Sequence, residues 1–350
     1  MALTNHQPLS GKSGRTLTYS PAYTLVPTYE CFNRCTYCNF RREPGQDDWM
    51  TLGQAADILD NLSGVCEILI LSGEGHPYSA RRADWFQRIY DLCELALAKG
   101  FLPHTNAGPL SYDEMAQLKA VNVSMGLMVE QTTPELLRTV HRQAPSKRPE
   151  VRLQQLEWAG QLKIPFTTGL LLGLGETTAD WETGLVAIAT LHNQYHHIQE
   201  VILQPHQPGT TQVDTGQICD DQTLLDAVTL ARHRLPDDIT IQIPPNLVRD
   251  PHMLVACIKA GAQDLGGIGP IDEVNPDYPH SSHAKLTALL AAQGWALTAR
   301  LPVYEQYAPW LRGRLKAAVD RWRLSPPTCV PAASAPSHSD GVTSPEPSLQ

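Results

Sequence analysis

The chain reads as an α/β protein whose single domain is a (β/α)8 TIM-like barrel, complete or slightly open. Three observations carry this expectation. Short β-rich runs alternate with amphipathic stretches along most of the 350 residues, the pattern of βα units and parallel strands. Eight such runs can be placed. Polar or glycine-bearing residues follow each run in phase, and barrels of this kind gather their chemistry at the C-terminal ends of strands.

Taken in order, the first strand is expected at 23–28, with a cysteine-bearing loop after it. A helix at 52–62 leads to a strand at 66–71, which ends in Ser72-Gly73-Glu74. The helix at 82–98 precedes a strand at 101–105 that ends in Thr105-Asn106, and the helix at 112–119 precedes a strand at 122–128 followed by Glu130. The helix at 150–162 introduces the apolar strand 166–172, which runs into Gly173-Leu174-Gly175-Glu176. Helices at 179–192, 221–234 and 251–260 precede strands at 198–203, 239–243 and 263–268. Gln204 and His206, Pro244 to Asn246, and Gly266 to Pro270 follow those three strands. Any one of these endings is ordinary turn chemistry. Their recurrence points to one shared site.

The barrel is expected to span 19–324. Residues 1–18 are polar and expected to be flexible, without the apolar core of a signal peptide. Residues 325–350 hold six prolines and six serines and no apolar period, so they are expected to remain a disordered tail. The net charge of -9 argues against a nucleic-acid surface, which shows as a basic excess. No run approaches the roughly 18 apolar residues of a membrane span. Cys66, Cys93, Cys219, Cys257 and Cys329 are scattered singly, as buried free thiols are, and a reducing cytoplasm is the expected compartment.

The densest chemistry lies in Cys31-Phe32-Asn33-Arg34-Cys35-Thr36-Tyr37-Cys38. Three thiolates at C-x3-C-x2-C spacing suit an iron–sulfur cube, and because such clusters usually take four cysteines, one iron is left open to a small molecule. Structural zinc would want a fourth Cys or His at short spacing, which is missing unless His76 or His104 approaches through folding. A disulfide between such close cysteines would be strained and would strand the third.

This spacing, with an aromatic residue before the last cysteine, resembles the signature of the radical S-adenosylmethionine (SAM) enzymes. The resemblance implies a 4Fe-4S cluster on Cys31, Cys35 and Cys38, whose open iron chelates SAM, and a one-electron reductant that triggers cleavage to methionine and a 5'-deoxyadenosyl radical. Ser72-Gly73-Glu74 resembles the family's Gly-Gly-Glu motif, with serine in place of the first glycine, and would meet the amino group of SAM. Glu74 reads equally as a carboxylate capping the helix that follows. The stretch from Thr167 through Gly169 to Thr177 resembles the strand that underlies adenine in biotin-synthase-like and deazaflavin-forming members. Asn106 belongs to the same implied SAM site. Glu130 and Arg142 are candidates for the ribose and carboxylate of SAM, a guanidinium fork matching a carboxylate; the alternative is that they are surface charges.

Longer strings narrow the likeness: Thr105 to Leu110, Ser124 to Met128, His141 to Lys147, Ile243 to Leu247, Gly261 to Pro270, and Asp272 to Pro276. From about Tyr19 to Leu315 the chain resembles the cyclising radical-SAM subunit of the 7,8-didemethyl-8-hydroxy-5-deazariboflavin (FO) synthases. This implies a small-molecule deazaflavin precursor as substrate, the adduct of a tyrosine-derived 4-hydroxybenzyl group with 5-amino-6-ribitylaminouracil, made by a partner radical-SAM subunit. Cyclisation to FO would release ammonia. Where many members carry Gln-Asn-Phe, this chain has Gln204-Pro205-His206. Proton removal needs a base near substrate, for which His206, Asp272, Glu273 and His280 are candidates, while Asp264 reads as a cap of the eighth strand. The rivals are the tyrosine-transferring partner subunit, a biotin-synthase-like sulfur inserter, and a zinc-stabilised binding protein.

Overall fold

The computed structural model describes residues 15–212 and 218–325. Eight parallel strands close into a ring: β1 (Arg15–Leu25), β2 (Glu67–Leu71), β3 (Leu102–Asn106), β4 (Ser124–Gly126), β5 (Phe166–Leu172), β6 (Ile198–Pro205), β7 (Thr240–Gln242) and β8 (Asp264–Ile268). They hydrogen-bond in sequence order, and β1 pairs with both β2 and β8, so the barrel is complete. All seven residues of β5 are buried, as parallel strands covered on both faces require.

Helices α1 (Leu52–Asp60), α2 (Arg82–Ala98), α3 (Tyr112–Leu118), α4 (Pro149–Gln161), α5 (Thr178–Tyr195), α6 (Asp221–Arg234) and α7 (Pro251–Ala260) fill the crossovers. In α2, Trp85, Ile89, Leu92 and Ala96 recur at helical spacing and are all buried against the sheet. Reciprocal capping boxes start α1 (Thr51 with Gln54), α3 (Ser111 with Glu114) and α5 (Thr177 with Asp180), which satisfies backbone donors the helices leave open.

Two differences from expectation matter. The first strand begins at Arg15, inside the segment expected to be flexible, and ends at Leu25 rather than 28. Its early start is explained by a ninth strand, β9 (Trp295–Ala299), which pairs with Arg15 to Tyr19. β2 takes over alongside β1 from Ala22 onward, so β9 continues the place of β2 toward the bottom of the barrel. Beyond Leu25 the backbone serves the cysteine loop instead: Gly73 N donates to Thr28 O at 2.8 Å, and Met50 N to Pro27 O at 2.9 Å.

The sequence reading also placed no elements at α8 (His283–Ala291) or α9 (Gly313–Leu324). α9 buries Leu315, Ala318 and Val319 in a second apolar cluster with Leu97, Leu102, Val123 and Tyr307. Trp322 Nε1 fastens it to Gly100 O at 2.8 Å. The expected tail beyond Ser325, Cys329, and the segment before Arg15 lie outside the described residues.

Candidate active site

The loop after β1 carries the three cysteines and is held from two sides. Cys31 N donates to Arg42 O at 3.1 Å and Arg42 N to Tyr29 O at 2.8 Å, closing the loop on itself. Arg34 N reaches Gln143 O at 2.8 Å and Thr36 N reaches Val140 O at 3.2 Å, tying it to the segment after β4. Cys31, Cys35 and Cys38 are free thiols lining one cavity of about 200 Å³, together with Ser72, Gly73, Glu74, Asn106, Glu130, Lys147 and Arg152. Burial pushes the Cys31 thiol up to about 11 and that of Cys35 to about 12, so proton release would accompany metal binding.

Among the described residues, His192, His196 and Asp238 are the one triad whose ligand atoms converge within 4.8 Å; the three sulfurs are spread more widely. One zinc, with Zn–S of about 2.3 Å, would draw its sulfurs to about 4 Å or less. The spread therefore suits separate corners of a cube. Two of the histidine triad's three members already hydrogen-bond to each other: His192 Nδ1 accepts from Ile198 N at 3.2 Å, so Nε2 carries the proton shared with Asp238, also at 3.2 Å.

Gly73 is dictated by crowding. A Cβ there would lie 2.1 Å from Glu30 O, so only glycine lets the end of β2 meet the cysteine loop. The Gly73 carbonyl accepts from Ser72 Oγ at 2.9 Å and Trp85 Nε1 at 3.1 Å, so the serine that departs from the Gly-Gly-Glu pattern braces its own turn. Glu74 does not act as a helix cap. Its carboxylate accepts from Arg152 at 2.6 Å, from Asn33 at 2.8 Å and from the Ser146 hydroxyl. Burial works against ionisation, but Arg152, Lys147 and Ser146 outweigh it and hold Glu74 down to about 2.

Glu130 sits at φ 67 in an isolated bridge to Leu170, its side chain 2.6 Å from Lys147 and 3.7 Å from Arg152. Despite burial, Lys147 and Arg152 keep its carboxyl below the usual range. Arg142 is a correction. It is exposed and outside the cavity, and Lys147 and Arg152 supply the cations instead. Arg152 falls on the buried stripe of α4 with Gln155, Leu156 and Ala159, and an arginine in that phase was the signal the sequence offered. Gly169 is not among the residues lining the cysteine cavity: a Cβ there would meet Ile202 O at 2.2 Å and Met128 Sδ at 2.8 Å, so it lets β5 approach β6 and seats Met128. Asn106, at the end of β3, borders both this cavity and the next.

A second cavity, again about 200 Å³, occupies the barrel lumen and shares Leu71, Asn106, Met128, Gln204, Val274 and Asn275 with the first. Asp272, Glu273 and His280 line it near the mouth. Asp272 is taken up by its own loop, accepting from Asn246 at 2.8 Å, from the amides of Val274 and Asn275 at 3.0 Å, and from the Asn275 side chain at 3.1 Å. Glu273 accepts from Tyr29 at 2.7 Å. His280 differs: its Nδ1 is buried without a hydrogen bond, and burial, opposed by Asp272, lowers its basicity. His206 borders the cysteine cavity, 3.3 Å from Gln212 Oε1 and edge-on to Tyr37 at 6.2 Å. Asp264, expected as a strand cap, is instead fully buried and grips Arg300 through both oxygens at 2.6 and 2.7 Å.

A parallel barrel whose first loop brings three thiols against a paired set of buried charges defines a radical SAM enzyme. Residues 25–185 match the Radical SAM superfamily. Two solved structures share the fold. The FeFe-hydrogenase maturase HydG from Carboxydothermus hydrogenoformans has a TM-score of 0.68 at 19% identity, covering 89% of this chain and 77% of that one. Methylornithine synthase has a TM-score of 0.56 at 14% identity, covering 89% and 82%. Sequence relatives are much nearer. The 7,8-didemethyl-8-hydroxy-5-deazariboflavin synthase of Trichormus variabilis is 65% identical over 92% of this chain and 96% of its own length. That of Nostoc sp. is 66% identical over 87% and 91%, and that of Thermosynechococcus vestitus 61% identical over 87% and 98%. The chain belongs to the 7,8-didemethyl-8-hydroxy-5-deazariboflavin synthase family. No helix among the described residues is long and apolar enough to cross a membrane.

Proposed function

We propose that the chain closes the central ring of the deazaflavin. It would convert 5-amino-5-(4-hydroxybenzyl)-6-(D-ribitylimino)-5,6-dihydrouracil, delivered by a separate tyrosine-transferring radical-SAM subunit, into FO with loss of ammonia. Relatives aligned over nearly their full length bear the name of the FO-forming synthase.

The charge of the lumen carries the choice between the two steps. Among the described residues lining it, Arg300 is the sole arginine or lysine, and Glu200 at 2.5 Å and Asp264 at 2.6 Å already hold it. Tyrosine brings a carboxylate that needs a cation; the adduct brings none. A lumen without a free cation suits the adduct.

A 4Fe-4S cluster on Cys31, Cys35 and Cys38, loaded with SAM and fed by a one-electron reductant, would supply the cleavage that starts hydrogen abstraction. Lys147 and Arg152 balance Glu130 and Glu74 charge for charge, unlike Arg300 between two carboxylates, so this cavity can offer cations to the carboxylate of SAM and acceptors to its amino and ribose groups. Met128 and Leu171 provide apolar surface for the adenine. His280, neutral and with a bare ring nitrogen, is the group best placed to take the proton that ring closure releases.

The test is turnover by the anaerobically reconstituted protein given the preformed adduct, SAM and reductant. Fluorescent FO is expected. Product arising only from tyrosine and 5-amino-6-ribitylaminouracil would assign the transfer step instead.

A further inference from the structure

The lower lumen holds more hydrogen-bonding capacity than the fold uses. Barrels of this class usually fill their interior with layers of large side chains. Here Ala22, Gly126 and Gly267 face it, and the cavity continues down to Glu67, His104 and Glu200.

The hydrogen bonds around His104 fix which of its nitrogens is bare. The Ser124 hydroxyl gives its one hydrogen to Pro302 O at 2.7 Å, so toward His104 Nδ1, also at 2.7 Å, it can only accept. Nδ1 therefore carries the ring proton, and Nε2 is a lone-pair acceptor beside Gly126, where a Cβ would stand 3.0 Å away. Burial, reinforced by Arg300, lowers the histidine to about 3 and keeps it neutral.

Glu67, 7% exposed, forms no ion pair among the described residues. Glu200 accepts from Arg300 and Tyr304 on one oxygen and from Thr167 at 3.2 Å on the other, which leaves lone pairs to spare. With Asp264, Glu200 places two carboxyls on one guanidinium, and Glu67 lines the same floor, an arrangement that repels anions. Burial raises both glutamates, Glu200 to about 8. An ammonium could not reach acceptors spread over β2, β3 and β6 at once, whereas a chain of hydroxyls could, because each hydroxyl both gives and takes a hydrogen bond.

We infer that the lower lumen is a polyol subsite, in which Glu67, His104 Nε2 and Glu200 receive the hydroxyls of the ribityl chain and hold the ring system above them. This rests on the substrate class proposed above. From Glu67 to Leu71, where lumen and cysteine cavity join, the strand climbs about 13 Å, enough depth for a chain below a ring.

Equilibrium titration of the reconstituted, SAM-loaded protein tests it with two probes, 5-amino-6-ribitylaminouracil and the analogue bearing an unsubstituted pentyl chain. The wild type is expected to bind the ribityl compound about 10- to 100-fold tighter. Glu67→Leu and His104→Gln should each shrink that preference about tenfold, and the second variant keeps the test alive should the first not fold. Equal binding of the two probes by wild type, or a preference unchanged in the folded variants, would overturn the subsite. A retained ribityl preference with no FO from the preformed adduct would overturn the cyclisation reading while supporting the subsite.

Discussion

Arg152, on α4, donates to the Glu74 carboxylate at 2.6 Å and so joins the end of β2 to a helix 78 residues further along the chain. The same guanidinium donates to Met128 O at 2.9 Å and Ser146 O at 3.1 Å. One buried side chain thus ties together the ends of β2 and β4 and the segment leading into α4 at the cysteine cavity.

Removing it should be costly, because two buried carboxylates would be left with Lys147 alone. Arg152→Ala is expected to lose about 3–5 kcal/mol of unfolding free energy in urea, and SAM binding with it. Arg142→Ala, on the exposed segment, should stay within about 0.5 kcal/mol and bind SAM as wild type does. Equal losses in the two would show that the buried network is misassigned.

Replacing Cys31, Cys35 or Cys38 by alanine should abolish tightly bound iron and the cleavage of SAM. Cys93 is fully buried against Thr105 and Asn122, so Cys93→Ala should cost about 1 kcal/mol and keep its iron. Iron content and 5'-deoxyadenosine yield, measured side by side, decide the point.

Two glycines should respond with opposite sign. Gly73→Ala drives a methyl into Glu30 O and should lose about 1–3 kcal/mol together with SAM affinity. Gly53→Ala, in the first turn of α1 where the new methyl meets only Thr51 Oγ1 at 3.9 Å, should gain about 0.5–1 kcal/mol. Thermal and urea melts of the two variants check this.

Burial lowers His104 and His197 to about 3, against 6.5 when exposed. Between those values the unfolded chain binds protons that the folded chain refuses, so stability rises with pH there. Their contribution is complete above about pH 6.5 and is lost as pH falls toward 3, by up to about 1.4 kcal/mol per unit for each group. Urea midpoints between pH 7 and 4 should fall accordingly, and fall less in His197→Phe.

The strands of the ring were legible because Ile, Leu and Val concentrate between glycine and proline punctuation, as in 66–71 and 166–172. β9 was not: Trp295-Ala296-Leu297-Thr298-Ala299 is half-exposed and carries no β-branched run, and its pairing to β1 is a tertiary fact. The gathering of Cys31, Cys35 and Cys38 at one cavity was legible because eight residues of one loop hold all three. Choosing between Arg142 and Arg152 needed the phase of α4, because burial, not residue type, decides which arginine faces the cavity. The acidic lumen floor went unseen, since Glu67, Glu200, Asp264 and Arg300 meet only when the barrel closes.

β1 finds its last partner in β9, 280 residues later in the chain (Arg15 beside Trp295), and Arg300 N then donates to Tyr19 O at 2.8 Å. At a synthesis rate of roughly 5–20 residues per second, the opening strand waits about 14–56 s on the ribosome before its neighbour emerges. Throughout that interval the backbone edge of Arg15 to Tyr19 stays unpaired, a template for mispairing with other strands.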